Sequence, residues 1–453
     1  LGDGEQLIVD VCKSIRDSRE RGLSRAELLL RLSRIPGVYV PSLYEVVHDD
    51  GSTRWGRAVP REGTGAPAVV TKACIPDLSA TPPVAQKIVP YMDIVQDRLA
   101  IEVLRGCARG CRFCQAGMTY RPVRERSADQ IVSSVIQGLQ KTGYDEVSLT
   151  SLSTTDHSCI RDVLGRLNRR LEDTGIRVSI PSQRLDSFGV DMAESVAGEK
   201  KGGLTFAPEA GSQRMRDIIN KNVTEEDLDR AAKAAFEAGW NRMKLYFMMG
   251  LPTETMDDIK GIADTAQQVV DLFYTIPDRP KGKGVQATIS VACFVPKPDT
   301  PFQFCAQDRR ETLREKQKYL LSCVHSRKIK VNYHDSATSV LEGVFAKGDR
   351  RLGKVIETAF ENGAFFDTWE EYFNYDRWMD AFAACGIDPD FYNYRTIALD
   401  EITPWAHLDV GVSHAHLVRE YQKALQAQTT PPCNRQCSAC GANKLIGGPC
   451  LDR

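Results

Sequence analysis

Three cysteines stand close together in the first third of the sequence, at Cys107, Cys111 and Cys114. Three thiolates on one loop can hold three irons of a cubane iron-sulfur cluster, whereas a cluster that only transfers electrons is closed by four. The fourth iron would then stay open for a small molecule. A zinc knuckle or a chance grouping is the alternative, but a structural zinc site uses four ligands and no fourth ligand is adjacent.

A second group of cysteines stands at the end of the sequence, at Cys433, Cys437, Cys440 and Cys450. The glycines among them let the chain fold back, so that four thiolates can close around one metal centre. Zinc and an auxiliary iron-sulfur cluster both fit this spacing. We favour iron-sulfur, because the protein must already receive one cluster. Disulfides are a further alternative, which an oxygen-sensitive cluster nearby disfavours.

The composition is that of an ordinary globular protein. The 453 residues include 59 Lys and Arg against 60 Asp and Glu, and 42% are hydrophobic. This balance excludes a general attraction to nucleic acid or anionic lipid, and no run of about 18 uncharged apolar residues predicts a membrane span. Half of the 14 cysteines fall in the two groups. Metal binding in a reducing cytoplasm is therefore favoured over a disulfide scaffold.

Short apolar runs alternate with amphipathic segments between residues 99 and 295, which predicts βα units. The predicted strands are residues 99–104, 146–149, 177–180, 203–206, 243–247 and 286–294. The predicted helices are residues 127–141, 160–174, 192–197, 212–219, 224–238 and 256–272. Six units favour an α/β fold built on a partial (β/α)6 barrel over a closed barrel of eight. A doubly wound open sheet is the alternative.

These patterns divide the chain into four regions. Residues 1–95 form an extension of two helices and a hairpin, residues 96–305 the partial barrel, residues 306–430 a C-terminal α/β extension and residues 431–453 a cysteine-rich knuckle. Ser24 and Glu27 predict a capping box at the second helix. Beyond the barrel, the predicted elements are a strand at 328–333 and helices at 309–326, 336–346, 351–362, 369–373 and 375–384. They form either a second α/β module or an extension of the barrel.

Several motifs resemble those of the radical S-adenosylmethionine (SAM) proteins that carry an N-terminal cobalamin-binding-like domain and a methylthiotransferase-like architecture. The motifs are the C-x3-C-x2-C loop within residues 105–118 and the segments 202–211, 294–303 and 348–351. The resemblance covers essentially the whole chain. Residues 1–5 resemble the exit from the cobalamin-binding-like domain, so we expect that domain to precede them. Asp299 departs from the pattern, in which we expect His.

The resemblance implies a [4Fe-4S] cluster on the catalytic Cys107, Cys111 and Cys114, bound SAM, cobalamin through the preceding domain, and a reductant such as flavodoxin or ferredoxin. SAM offers an amine, a carboxylate and a ribose diol. Among residues that end predicted strands, Arg184 suits the carboxylate, Glu209 the amine or the ribose, and Ser182 either. A loop cap or a surface ion pair is the alternative role for each.

Three further residues are candidates for cofactor binding. Phe113 is the aromatic residue before the last cysteine of the loop. Gly250 and Pro252 belong to a segment, Gly250-Leu-Pro-Thr-Glu-Thr255, that resembles the G-x-P-x-E-T turn of radical SAM barrels.

Six arginines flank the loop, at positions 105, 109, 112, 121, 124 and 126. One interpretation is a patch for an RNA backbone. The favoured one is that they offset a negative cluster or pair with neighbouring acids.

The sequence thus predicts a cytoplasmic radical SAM enzyme that cleaves SAM reductively to a 5′-deoxyadenosyl radical. Its reaction would be methyl or methylthio transfer, or another functionalisation of a C–H bond, on RNA or protein and away from membranes. The alternative is a non-enzymatic iron-sulfur or zinc protein that binds RNA or acts as a scaffold.

Overall fold

The computed structural model describes residues 1–48, 55–81, 83, 87–181, 184–189, 203–277, 279 and 284–450. Its N-terminal extension begins with two helices, α1 (Glu5–Glu20) and α2 (Arg25–Leu32). The Ser24 side chain accepts a hydrogen bond from the Glu27 amide, and the Glu27 carboxylate accepts one from the Ser24 amide. The predicted capping box is therefore confirmed.

The rest of the extension is a hairpin and one short strand. Strand β1 (Tyr44–Val47) pairs antiparallel with β2 (Arg57–Pro60), and β3 (Val70–Thr71) follows. Tyr44 is 1% exposed and its hydroxyl donates to the Pro67 carbonyl at 2.7 Å. The predicted hairpin is thus present, and a buried tyrosine anchors its first strand.

The barrel begins with β4 (Leu99–Glu102). The chain then forms β5 (Leu104–Arg105), which pairs antiparallel with β6 (Arg124–Glu125). Helix α3 (Gln115–Thr119) lies between the two, and the first cysteine group precedes it. Residues 107–114, which we call the cluster loop, therefore start where the first barrel strand has ended.

Six more strands continue the barrel in the described residues. They are β7 (Glu146–Thr150), β8 (Arg177–Ser179), β9 (Leu204–Glu209), β10 (Arg242–Met249), β11 (Gln286–Cys293) and β12 (Ile329–Tyr333). All pairings are parallel, in the orders β4-β7-β8 and β9-β10-β11-β12. The strand predicted at 328–333 therefore extends the barrel, which was one of its two alternatives. Three of its five residues are exposed, as in an edge strand.

Helices cover the barrel strands. They are α4 (Ala128–Thr142), α5 (Ile160–Leu171), α6 (Gln213–Ile218), α7 (Glu225–Glu237) and α8 (Met256–Thr275). One hydrophobic core joins both groups of strands to α4, α5, α7 and α8; it includes Leu99 of β4, Phe206 of β9, Ile289 of β11 and Val269 of α8. This shared core supports the predicted partial barrel. The helix predicted at 192–197 lies outside the described residues.

The C-terminal region is mostly helical. Its elements are α9 (Arg310–Cys323), α10 (Ser336–Ala346), α11 (Leu352–Glu361), α12 (Tyr375–Ala384), α13 (Asp390–Asn393), β13 (Leu408–Asp409) and α14 (His414–Leu425). Strand β13 pairs in parallel with β3 and so joins this region to the extension. Among the described helices, none combines the length and the apolar character needed to cross a bilayer.

The helix predicted at 369–373 is wrong, because this segment forms only turns. The Asn374 side chain accepts a hydrogen bond from the Arg377 amide and begins α12 directly afterwards. A residue in the N-cap position has non-helical backbone angles, so the five preceding residues cannot join the helix that follows.

Gly211, in the loop after β9, lies against the backbone of α8. A Cβ atom there would lie 2.3 Å from the Ile262 amide nitrogen and 2.4 Å from the Asp258 carbonyl oxygen. We expect Gly211→Ala to lower the free energy of unfolding by about 3 kcal/mol, because backbone atoms cannot yield as a flexible side chain can. Denaturant unfolding measures the loss.

Gly353→Ala is the matched control. A Cβ at this position in α11 would meet no atom within 4 Å, so this substitution should raise stability by up to about 1 kcal/mol. Equal stability of Gly211→Ala and the unsubstituted protein would contradict the close packing.

Candidate functional site

The three cysteines of the cluster loop lie at the carboxyl end of β4, before α3. Cys114 occupies the N-cap position of α3, and its Sγ accepts a hydrogen bond from the Gly117 amide at 3.3 Å. The middle of the loop is tied to the segment after α6, because the Arg112 amide donates to the Ile219 carbonyl at 3.0 Å. The loop thus presents its thiols from a fixed backbone.

All three thiols are half-buried. Burial raises the pKa of Cys107 to about 11, with the neighbouring Cys111 adding to the rise, and burial also raises the pKa of Cys114. Metal binding must therefore displace protons from these thiols. In the part of the chain described, no three His, Cys, Asp or Glu side chains form a group already arranged to hold a metal ion. The fit of the loop to an iron-sulfur cluster rests on its donor set, three sulfur atoms on one short loop.

The arginines around the loop are bound to groups of the protein itself. Arg109 pairs with Asp156 and, at 2.9 Å, with Asp186. Arg112 is completely buried and its Nη2 lies 3.0 Å from Glu420 Oε2 in α14. The others also have partners: Arg105 binds Asp3, Glu5 and Glu102; Arg124 binds Asp3; Arg121 and Arg126 donate to main-chain carbonyls. These contacts support the pairing interpretation over an RNA patch.

Arg184 and Glu209, two predicted SAM contacts, are connected through Lys221. Arg184 Nη2 donates to the Lys221 carbonyl at 3.0 Å, and Lys221 Nζ lies 3.0 Å from Glu209 Oε1. The charges of Lys221 and Glu209 both act on the pKa of the Cys114 thiol, after the dominant effect of burial. The structure therefore brings these residues together beside the cluster loop.

Lys221 is a candidate that the sequence did not reveal. It lies between Asn220 and Asn222, both of which have a φ of 53°. Asparagine tolerates this left-handed conformation better than most residues, so the two asparagines were the available signal of a constrained turn. Arg184 also pairs with Asp186 at 2.9 Å. If a zwitterion such as SAM bound here, its carboxylate and its amine would take the place of ion pairs that these side chains already form.

The remaining predicted cofactor contacts have different settings. Phe113 packs against a small apolar cluster that includes Leu251. Gly250 has a φ of 86°, and its amide donates to the Glu254 carboxylate at 2.7 Å. Pro252 is half-buried in the turn between β10 and α8. Phe113 thus packs against the same apolar cluster as Leu251, which lies between Gly250 and Pro252. Ser182 lies outside the described residues.

The cysteine-rich tail lies against the cluster loop. The Cys433 amide donates to the Ala108 carbonyl at 2.7 Å. The Cys433 side chain packs on Leu104, Ala108 and Val123. The two cysteine groups, which are far apart in sequence, therefore adjoin in the structure.

The four tail thiols lie near one another and near a buried arginine. Burial raises the pKa of Cys450 to about 11, and Cys440, Cys433 and Cys437 add to the rise in that order. Burial lowers the pKa of Arg121, but the thiols of Cys433 and Cys440 outweigh it, so that this pKa lies above its ordinary value. These four side chains are not already arranged as a metal site in the described residues, but four thiols are the donor set of a zinc site or an iron-sulfur cluster.

Asp299 lies at a cavity of about 450 Å³ that is also lined by Gln303, Trp405 and Asp409. The Gln303 side-chain oxygen accepts from the Asp299 amide at 3.0 Å and from Trp405 Nε1 at 3.1 Å. Burial, with a smaller effect of Asp409, raises the pKa of Asp299 to about 7. Gln115 of α3 donates to the carbonyl just before Asp299 at 3.2 Å. This acid therefore lies close to the elements that carry the cluster loop.

Comparison with known families identifies the class of this domain. Residues 101–266 match the family model of the radical SAM superfamily. This range runs from β4 into α8 and includes the cluster loop, Arg184 and Glu209. The chain therefore contains a radical SAM domain, the catalytic domain of a class of enzymes.

Two curated proteins are similar to parts of this chain. An uncharacterized protein of Methanocaldococcus jannaschii is 32% identical over 257 residues, which are 57% of this chain and 53% of that protein. A tRNA-2-methylthio-N(6)-dimethylallyladenosine synthase of Petrotoga mobilis is 24% identical over 250 residues, 51% of this chain and 55% of that protein. The chain spans about half the length of these curated relatives, and it is similar to them over a region that overlaps its radical SAM domain.

A solved structure is similar over more of the chain. It is the radical SAM methyltransferase TsrM from Kitasatospora setae with cobalamin and a [4Fe-4S] cluster bound, 15% identical, with a TM-score of 0.46. The match covers 85% of this chain and 78% of that one.

The raised pKa of Asp299 predicts a pH-dependent stability. The folded chain keeps this proton up to about pH 7, whereas an unfolded chain releases it near pH 3.9. The folded state binds more protons between these values, so the contribution of Asp299 to stability falls as the pH rises through them. Asp299→Asn removes this titration, and Asn tolerates the φ of 57° at this position.

We expect the free energy of unfolding of Asp299→Asn, relative to the unsubstituted protein, to increase by at least about 1 kcal/mol between pH 5 and pH 8. Urea unfolding at both pH values measures this difference. Asp264→Asn, at an exposed position in α8, should show no such change. A constant difference for Asp299→Asn would mean that its carboxyl ionises normally.

Proposed function

We propose that this protein is a radical SAM enzyme that binds a [4Fe-4S] cluster, cleaves SAM reductively and transfers a methyl or methylthio group. One observation carries the proposal: three thiols stand on the loop after the first barrel strand, with the Arg184, Lys221 and Glu209 network beside them. The thiols supply a ligand set that leaves one iron without a protein ligand. The network supplies both signs of charge for a zwitterionic cofactor.

Cys107, Cys111 and Cys114 would each hold one iron. When bound, the cluster and SAM supply a 5′-deoxyadenosyl radical, because one electron from a reductant such as flavodoxin or ferredoxin breaks a sulfonium C–S bond and releases methionine. The Gly117 amide, which donates to Cys114 Sγ, favours the thiolate form of that ligand. The cluster loop would thus hold the cofactor from one side of the barrel mouth.

Lys221 and Arg184 would bind the carboxylate of SAM, and Glu209 its amine. Both basic groups are largely buried, with 12% and 11% of their side chains exposed, which strengthens charged hydrogen bonds. Phe113 and Pro252 would form an apolar wall beside these charged groups. Gly250 would let SAM approach the backbone closely. Ser182 remains a predicted contact from the same strand end as Arg184.

Cys433, Cys437, Cys440 and Cys450 would hold a second metal centre. The docking of Cys433 on the cluster loop supports this assignment. We favour an auxiliary iron-sulfur cluster over zinc, because the protein receives one cluster already and a second beside it could pass electrons or bind substrate. Ligation energy would then stabilise a segment that has little hydrophobic core of its own.

The similarity to a tRNA methylthio synthase supports group transfer, with RNA or protein as the substrate class. Cobalamin is a further cofactor in this proposal, because the family resemblance implies it. We place the enzyme in the cytoplasm, where an oxygen-sensitive cluster is kept reduced. The alternative of an RNA-binding scaffold is less well supported, since the arginines of the cluster loop are bound within the protein.

SAM cleavage tests the assignment of the cluster loop. Cys114→Ser should abolish formation of 5′-deoxyadenosine in anaerobically reconstituted protein, by at least about 100-fold, because a cluster with two thiolates cannot be held in place. Chromatography of the products measures the loss. Cys12→Ser, at an exposed thiol of α1, is the matched control and should cleave SAM normally. Full cleavage by Cys114→Ser would contradict the assignment.

SAM binding tests the network beside the loop. Glu209→Gln and Lys221→Met should each weaken SAM binding about tenfold or more, because each removes a charged hydrogen bond. Equilibrium dialysis under anaerobic conditions gives the dissociation constants, and iron analysis should show an unchanged cluster. Lys260→Met, which removes an exposed ion pair in α8, should bind SAM as before. If all three variants bound SAM equally, the network would have only a structural role.

A further inference from the structure

Arg121 lies at the junction of the cluster loop and the tail. Its side chain is buried, with the residue 3% exposed. Nε donates to the Gly117 carbonyl at 3.0 Å and Nη2 to the Arg109 carbonyl at 2.9 Å. The Cys433 amide donates to the carbonyl of Ala108. The arginine and the first tail cysteine are therefore bound to consecutive residues of the cluster loop.

The third nitrogen of this guanidinium, Nη1, is buried and has no hydrogen-bond partner among the described residues. A buried donor without an acceptor costs on the order of 1–3 kcal/mol, and more when the group is charged. The thiols of Cys433 and Cys440 are close enough to act on the charge of Arg121. A protonated thiol is a weak acceptor, whereas a thiolate bound to a metal is a negative one.

Burial lowers the pKa of His416 of α14 to about 4, and the nearby charge of Arg121 adds to the lowering. His416 is 2% exposed, and its Nδ1 also lacks a partner among the described residues. A neutral imidazole can accept a hydrogen bond from a guanidinium, but it would supply no negative charge. The buried cation would then remain uncompensated, which is the costlier arrangement.

We propose that Arg121 is a positioning residue shared by two metal sites, holding α3 with Nε and the cluster loop with Nη2, and donating from Nη1 to a thiolate of the tail centre. This inference rests on the proposed function, since it needs a metal at the tail cysteines. Four thiolates around zinc or around an iron-sulfur cluster give a net negative centre, which matches a buried guanidinium. The planar fork of an arginine presents its donors in fixed directions, so it can serve two carbonyls and a third acceptor at once.

Metal binding at the tail and the contact between the tail and Arg121 are coupled in this arrangement. If metal at the tail strengthens the contact to Arg121, the same contact must strengthen metal binding by an equal factor. The guanidinium charge also acts on the cluster held by Cys107, Cys111 and Cys114, and a nearby positive charge favours the reduced, more negative state of a cluster. The tail centre would thus belong to the same electrostatic unit as the catalytic cluster.

Metal binding to the tail tests the proposal. In the full chain with Cys107, Cys111 and Cys114 replaced by Ser, Co²⁺ titration followed by thiolate charge-transfer absorption reports the tail alone. Arg121→Met should weaken Co²⁺ binding at least tenfold, and Arg121→Lys, which keeps the charge, should recover part of the affinity. If Arg121→Met fails to fold by circular dichroism, Arg121→Gln takes its place, with the same expected loss.

Arg126→Met is the matched control. Arg126 is equally buried and donates to main-chain carbonyls, at 2.8 Å to Leu78 and 2.7 Å to Thr81, without a tail thiol nearby. Its loss should leave Co²⁺ binding unchanged. A second measurement uses the chain with all cysteines after anaerobic reconstitution: Arg121→Met should shift the reduction potential of the catalytic cluster to more negative values, and Arg126→Met should shift it less.

Equal Co²⁺ affinity of Arg121→Met and Arg126→Met would overturn the inference while leaving the proposed function intact. If the tail took up no metal even with Arg121 present, both the inference and the tail assignment would be wrong. The catalytic cluster would still be tested separately by SAM cleavage. Iron and sulfide analysis of the same protein distinguishes an auxiliary cluster from stoichiometric zinc.

Discussion

A buried ion pair between Arg112 and Glu420 fixes the position of the cluster loop. Arg112 is fully buried and Glu420 is 4% exposed, and the same guanidinium also donates to the carbonyls of Asp217, Ile218 and Gln428. Removing one partner of such a pair leaves an uncompensated charge and costs about 3–5 kcal/mol. The loop that carries the thiols is therefore held by the segment after α6 and by a helix from the far end of the chain.

Other parts of the chain close around the same loop. Asp3 binds both Arg105 and Arg124, and Lys72 donates to the carbonyls of Thr119 and Arg121 at 2.6 Å. The N-terminal extension thus holds the chain on either side of α3. Together with the tail, it encloses a site whose thiols come from a single loop. The N-terminal extension and the tail therefore help to form the site, although both lie outside the barrel.

The sequence predicted the local features well. Both cysteine groups, the βα pattern and the capping box at Ser24 depend on residues close in sequence, so spacing alone reveals them. Lys221 and the contact between tail and loop were missed, because they depend on contacts between distant residues, such as the one that joins Arg112 to Glu420 across 308 positions. The sequence also left open whether β12 belongs to the barrel, because the residues of a polar edge strand do not indicate which strand they pair with. At Trp369 an aromatic run gave a false helix.

The tail can dock on the cluster loop only after the ribosome has synthesised both segments. A ribosome makes the cluster loop long before it makes Glu420 and Cys433, and at about 5–20 residues per second the delay is on the order of tens of seconds. During synthesis the loop cannot yet have its C-terminal cover. The first three thiols of a nascent chain are therefore accessible until the C-terminal segment that covers them has been made, so the order of translation alone would separate loading of the proposed catalytic cluster from loading of the proposed tail centre.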